Sequence, residues 1–134
     1  SGVAGVLKGA GREVTVVACS PENSPVMHKS VEVGRILDFP SKPTLSDGTA
    51  GGVEEGAITF DLCRELLDDY VLVSESEIAS TLGLFIDNDS MRIEGSAAVS
   101  IAAFLKQAKK WADKRVMIVL CGGNISSQTL KAVQ

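Results

Sequence analysis

Three runs of aliphatic and β-branched residues punctuate this chain: EVTVVACS from Glu13, VLVS from Val71 and RVMIVLC from Arg115. The first and last are near-continuously apolar, the pattern of strands covered on both faces. The segments between them carry helical spacing instead. Strands that alternate with helices close up as a mostly parallel sheet with the helices packed on it. The sequence therefore predicts the α/β class: a mostly parallel open sheet flanked by helices. A length of 134 residues fits a single domain over residues 1–134.

Local signals place the helices. Ser24 before Pro25 predicts a helix start with Ser24 as N-cap and Pro25 at the first helical position. That helix would turn Met27, Ser30 and Val31 inward and finish near Gly34. The following DFPSKPTLSDGTAGGVEEGA has two prolines, scattered glycines and no periodicity, so it reads as a long loop of the kind that is usually functional or disordered. TFDLCRELLDDY carries Phe60, Cys63 and Leu67 on one helical stripe. Ser74 and Glu77 form an S-x-x-E capping box heading a helix with Ile78, Leu82, Phe85 and Ile86 on its inner face. EGSAAVSIAAFLKQAKKWADK predicts a small-residue helix with Ala97, Ile101, Leu105 and Ala108 along one side. SSQTLKAV predicts a short terminal helix.

Composition removes several function classes. Hydrophobic residues make up 45% of the chain but only six are aromatic, so the core must be built from Val, Leu, Ile and Ala. A net charge of −4 argues against a nucleic-acid partner. The longest apolar stretch, around Ala97 to Leu105, is too short for a membrane span. Cys19, Cys63 and Cys121 are odd in number and form no C-x-x-C, which favours reduced thiols and an intracellular, cytoplasmic setting. With His28 the one histidine, a histidine-rich metal site is excluded and a Ser-His triad is disfavoured.

Ligands of parallel α/β sheets bind just beyond the carboxyl ends of the strands. EVTVVA runs into Cys19-Ser20-Pro21, and RVMIVL into Cys121-Gly122-Gly123-Asn124. Both ends would share one sheet edge if both strands belong to the sheet. Cys121 then reads in two ways, as a small buried packing residue or as a thiol held at the rim to touch a ligand. An anion- or nucleotide-binding module using the C-G-G-N turn is an alternative, although no G-x-G-x-x-G or Walker sequence is present.

Three segments, in order, carry a resemblance: SPENSPVM, then TLSDGTAGG with TFDLCRELLDDYVLVSESEI, then RIEGSAAVSIAAFL with VMIVLCGGNIS. They resemble the pyridoxal-phosphate-dependent threonine/serine dehydratases, which share the fold of the tryptophan synthase β chain. The T-x-x-D-G loop leading through a helix into V-x-V-S-E-x-E-I is the most specific part. The resemblance implies a lyase that takes a hydroxy amino acid to a 2-oxo acid and ammonia, with pyridoxal 5'-phosphate as cofactor. It implies that the Schiff-base lysine and the phosphate-binding glycine loop lie upstream of Ser1, in an N-terminal portion of the same enzyme. On that reading the chain is the C-terminal portion of the catalytic domain, has no catalytic residue of its own and is inactive alone. A homo-oligomer taking a small amino-acid substrate is also implied, with no nucleic acid and no membrane.

The same resemblance assigns cofactor-binding roles. Cys121 matches the position that faces the pyridine nitrogen, and Gly122, with Gly123, lets the backbone come close to the ring. Glu94 matches a glutamate that approaches the ring; as a residue it reads equally as an acid at a helix start, complementing the dipole. Gly48 puts backbone against the cofactor, whereas Asp47 and Ser46 beside it read as turn chemistry. Ser20 and Ser24 align with a cation site of some relatives. Serine in place of glutamate, and Val26 in place of aspartate, argue against a divalent ion there and leave a monovalent cation open.

Overall fold

In the computed structural model, which describes residues 1–88 and 91–133, the chain opens with helix α1 (Gly2–Gly9). It continues through strand β1 (Val17–Pro21), α2 (Val26–Val33), α3 (Ile58–Leu66), β2 (Asp69–Val73), α4 (Glu75–Asn88), α5 (Gly95–Lys106) and α6 (Ser127–Val133). Strands β1 and β2 pair in parallel, with Val17 opposite Asp69 and Pro21 opposite Val73. Helix α5 packs against both strands, and α4 packs against α5. The α/β expectation with a parallel open sheet is met.

The core fills the junction of these elements. Val71 and Val73 from β2, Ile78 and Leu82 from α4, Ile93, and Ala97, Ala98, Val99, Ala102 and Ala103 from α5 form one buried cluster. Alanine dominates the α5 face because small side chains let the helix backbone approach the sheet closely. The expected stripe on this helix is therefore rotated. Leu105 is 48% exposed and Ala108 is exposed in the 3₁₀ turn Ala108–Trp111 that follows, while Ala98, Ala102 and Ala103 face inward.

Several terminal signals act as read. The Glu77 N–H donates to Ser74 Oγ at 3.3 Å and the Ser74 N–H donates to Glu77 Oε2 at 2.7 Å, a closed capping box. Gly34 ends α2 at φ 75°, the left-handed conformation that glycine adopts without a Cβ penalty. Ser24 is a correction: Pro25 is the N-cap residue of α2, with no side-chain cap. The Ser24 hydroxyl is turned to the loop instead, where it shares a 2.6 Å hydrogen bond with Ser41 Oγ and accepts the Gly51 N–H at 3.2 Å.

Two strand expectations also change. β1 begins at Val17 rather than Glu13, because its partner begins only at Asp69. One residue earlier the Asp68 N–H still donates to the Val16 carbonyl at 2.9 Å, but the Val16 N–H turns to a side chain, Asp68 Oδ2, at 2.7 Å. The RVMIVLC run is not a strand in this chain: residues 115–121 carry no ladder pairing, and Val116, Met117 and Val119 are 41%, 88% and 52% exposed. A buried-strand pattern needs a hydrogen-bonding neighbour, and neither β1 nor β2 supplies one here. Ser100 Oγ, which donates to the Val119 carbonyl at 3.1 Å, ties the run to α5.

Candidate functional site

Helix α5 starts where two other segments converge. Glu94 is its N-cap residue, extended at φ −89° and ψ 169°, and its carbonyl accepts the Ala97 and Ala98 N–H groups at 3.1 Å each. The Glu94 N–H donates to the Gly122 carbonyl at 3.2 Å, so residues 92–94 run alongside the C-G-G-N turn. Gly122 sits at φ 127°, and a Cβ on it would overlap the Glu94 carboxylate. Only glycine fits there, on both counts.

The T-x-x-D-G loop closes the cluster from the other side. A Cβ on Gly48 would stand 2.7 Å from Ser96 Oγ and 3.6 Å from Glu94 Oε1. A Cβ on Gly95 would strike the Leu45 carbonyl, so loop and helix meet backbone to backbone. Glu75 Oε2, at the exit of β2, accepts the Leu45 N–H at 2.7 Å and fixes the loop's height. Ser46 is fully buried, its hydroxyl 2.6 Å from Thr49 Oγ1. Asp47 is exposed and accepts the Gly48 N–H at 2.9 Å.

Three of the four expected cofactor residues, Gly48, Glu94 and Gly122, thus come together although 74 positions separate the outer two. Cys121 precedes Gly122 and is exposed. Ser96 went unnoticed in the sequence. It is 8% exposed, and its hydroxyl is buried without a hydrogen-bond partner; its position next to Glu94 at a helix start was the available signal. An orphaned buried hydroxyl costs free energy unless something completes it.

The other candidates lie apart from this cluster or are otherwise engaged. Ser20 is within β1, opposite Leu72, and Ser24 is taken up by Ser41 and Gly51. Among the described residues no group of three His, Cys, Asp or Glu could hold a metal. Burial, reinforced by the Asp69 carboxylate, pushes the Cys19 thiol up to about 11, so it is a protonated packing group near neutral pH. His28 packs edge-on against Tyr70 with ring centroids 5.1 Å apart. Lys8, Lys29, Lys106 and Lys110 pair with Asp68, Glu32, Glu77 and Asp69 rather than with Glu94. No described helix is long and apolar enough to cross a membrane.

Known proteins resemble this chain in sequence and fold. The chain is 38% identical over 125 residues to an L-threonine ammonia-lyase of Thermotoga maritima, covering 93% of this chain and 31% of that protein. It is 32% identical over 133 residues to an L-threonine ammonia-lyase of Geobacter sulfurreducens, covering 99% and 33%. The chain spans about a third of the length of these curated relatives. Among solved structures, the processed form of threonine deaminase isoform 2 from Solanum lycopersicum superposes with a TM-score of 0.86 at 28% identity, over 98% of this chain and 39% of that one. Maize serine racemase gives 0.85 at 27% identity, over 98% and 41%. A family model described as "Pyridoxal-phosphate dependent enzyme" matches residues 1–122, and the chain belongs to that family.

Proposed function

We propose that this chain forms one wall of the cofactor site of a threonine/serine ammonia-lyase, an enzyme that converts a β-hydroxy amino acid to a 2-oxo acid and ammonia. The observation that carries the reading is the gathering of Gly48, Glu94, Ser96 and Gly122 at the start of α5. The residues present fit pyridoxal phosphate: Gly48 and Gly122 let the Ser96 hydroxyl and the Glu94 carboxylate stand directly against the backbone, and the unpartnered Ser96 hydroxyl is a donor awaiting an acceptor. Bound there, the cofactor supplies the electron sink for removal of the α-proton and the β-hydroxyl.

The chain's own residues bind and orient. Gly48 and Gly122 set the distance of closest approach. Cys121 presents a thiol rather than a carboxylate toward the ring nitrogen, which leaves less charge on the ring and more for the leaving hydroxyl. Glu94, half-buried between the two glycines, holds a carboxylate at the ring's edge. The lysine that carries the cofactor comes from an N-terminal portion of the same enzyme, and the exposed 115–121 run is the face on which that portion completes the sheet. The assembled enzyme is a homo-oligomer.

The isolated chain therefore gives no imine absorbance with pyridoxal phosphate and no 2-oxobutanoate from L-threonine. The protein in which it is continuous with the lysine-bearing portion gives both. An imine band or turnover by the chain alone would sink the reading, as would binding of a nucleotide in place of pyridoxal phosphate. Likeness to serine racemases favours a second outcome for the same site. Chiral analysis of the amino acid left in the assay separates elimination from racemisation.

A further inference from the structure

Asp47 is the one aspartate or asparagine in the sequence that is followed by glycine. Its carboxylate is folded back on the next peptide, accepting the Gly48 N–H at 2.9 Å, and both residues are exposed. We propose that Asp47 is a site of spontaneous isoaspartate formation. The Gly48 amide nitrogen attacks Asp47 Cγ, and the N–Cγ bond forms while the carboxyl hydroxyl and the amide proton leave as water. Hydrolysis of the five-membered imide returns that water at one of two carbonyls. Attack on the side-chain carbonyl restores aspartate; attack on the main-chain carbonyl leaves the backbone running through Cβ and Cγ. No oxidant or reductant enters.

Three structural facts single out this position. Glycine offers no side chain to shield its own nitrogen. A Cβ there would stand 2.7 Å from Ser96 Oγ and force that hydroxyl to move, so the loop packs best with the vulnerable pair. The peptide lies in a single exposed 3₁₀ turn, with the Thr49 N–H on the Ser46 carbonyl at 3.0 Å and the Ala50 N–H on the Asp47 carbonyl at 3.1 Å, braced by the Ser46–Thr49 hydroxyl pair at 2.6 Å. A short exposed turn opens more readily than a core element, and opening frees ψ of Asp47 for ring closure. Asp69 is the internal contrast. It accepts the Tyr70 N–H at 2.8 Å in the same way, but it lies in β2 opposite Val17, is paired with Lys110 and is followed by a bulky ring.

The product lengthens the main chain by one carbon immediately before Gly48, which draws that glycine off Ser96 and Glu94. This consequence, unlike the chemistry, rests on the cofactor reading above. The test is prolonged warm incubation of the purified chain in near-neutral buffer, followed by methylation with an isoaspartyl methyltransferase and peptide fragmentation by electron transfer. An isomer of unchanged mass should accumulate at residue 47, none at Asp69, and the signal should be lost in Asp47→Glu, whose longer side chain closes a less favourable ring. Circular dichroism confirms that the variant is folded. No isomer at residue 47, or equal amounts at Asp38 or Asp61 in the same protein, overturns the proposal. Incubation of the longer lysine-bearing protein with pyridoxal phosphate adds a separate readout. Isomerisation at residue 47 that is unslowed there counts against the cofactor reading and leaves the modification site standing.

Discussion

EVTVVACS and RVMIVLC carry the same strand signal, yet they meet opposite fates. Part of the first is paired and covered: β1 lies against β2 and α5, and its partner residues Val71 and Val73 are 5% and 0% exposed. The second carries no ladder and leaves Met117 88% exposed. Apolar patterning states what a segment can bury. Whether it does so depends on which neighbours the rest of the chain provides, and a strand exposes its backbone groups until another strand takes them.

Truncating each region measures that difference most directly. Leu82 is fully buried in the cluster beneath the sheet, and Leu82→Ala removes contacts that nothing can refill. It should cost about 2–5 kcal/mol in a urea titration of the isolated chain, enough to unfold much of a marginal domain. Met117→Ala in the same chain should change stability by no more than about 0.5 kcal/mol, as for other exposed positions. On the function proposed above, Met117→Ala becomes costly only in a protein that joins this chain to the lysine-bearing portion, where the 115–121 run would gain a partner. Equal costs for Met117→Ala in the two contexts would break the comparison.

The second prediction contrasts local with borrowed structure. The two bonds of the capping box at the head of α4 lie within residues 74–77, and Lys106 of α5 donates to the same Glu77 oxygen at 3.0 Å. Ser74→Ala should cost about 0.5–2 kcal/mol, the same in the isolated chain and in the longer protein, by the same titration. A cost that rises in the longer protein would mean that the cap, like the strand, depends on its neighbours.

This contrast also explains what could be read from the amino acids. Short-range chemistry was legible: the Ser74–Glu77 box, the left-handed Gly34, and the glycine and glutamate positions that meet at α5. Long-range choices were not. Ser24 had a loop hydroxyl, Ser41, as a better partner than the helix end. Helix α5 offered two plausible faces, and the one richer in alanine won because it permits closer packing. The 115–121 run carries the same apolar signal whether or not a strand pairs with it. Ser96 looked like an ordinary helix-start serine until Gly48, far off in sequence, was placed against it.

The smallest effect expected concerns His28, on the packed side of the molecule. The imidazole lies edge-on to Tyr70, and its Nδ1 is buried without a partner. Burial first, then the Lys29 charge, hold its pKa below the usual 6.5; Glu32 and Asp69 oppose this more weakly. A folded pKa below the unfolded one means that the unfolded chain binds the extra proton more readily, so stability rises with pH across this window. The contribution is fully present above 6.5 and is lost as pH falls through the folded value. Asp68, Asp69 and Glu77 also add stability that acid removes, since their carboxylates are held low. For Asp68 and Asp69 the hydrogen bonds from Lys8 and Lys110 lead; for Glu77, burial opposes the shift but is outweighed by Ser74 and Lys106. Those losses begin lower, near the carboxylate range. His28→Phe keeps a ring against Tyr70 and removes the proton site, so urea midpoints of the variant should flatten between about pH 5 and 7 while the parent's fall. Parallel curves for the two proteins would show that the imidazole is as solvated in the packed half as in the unfolded chain. The contrast between covered and uncovered regions would then not extend to the covered half's polar groups.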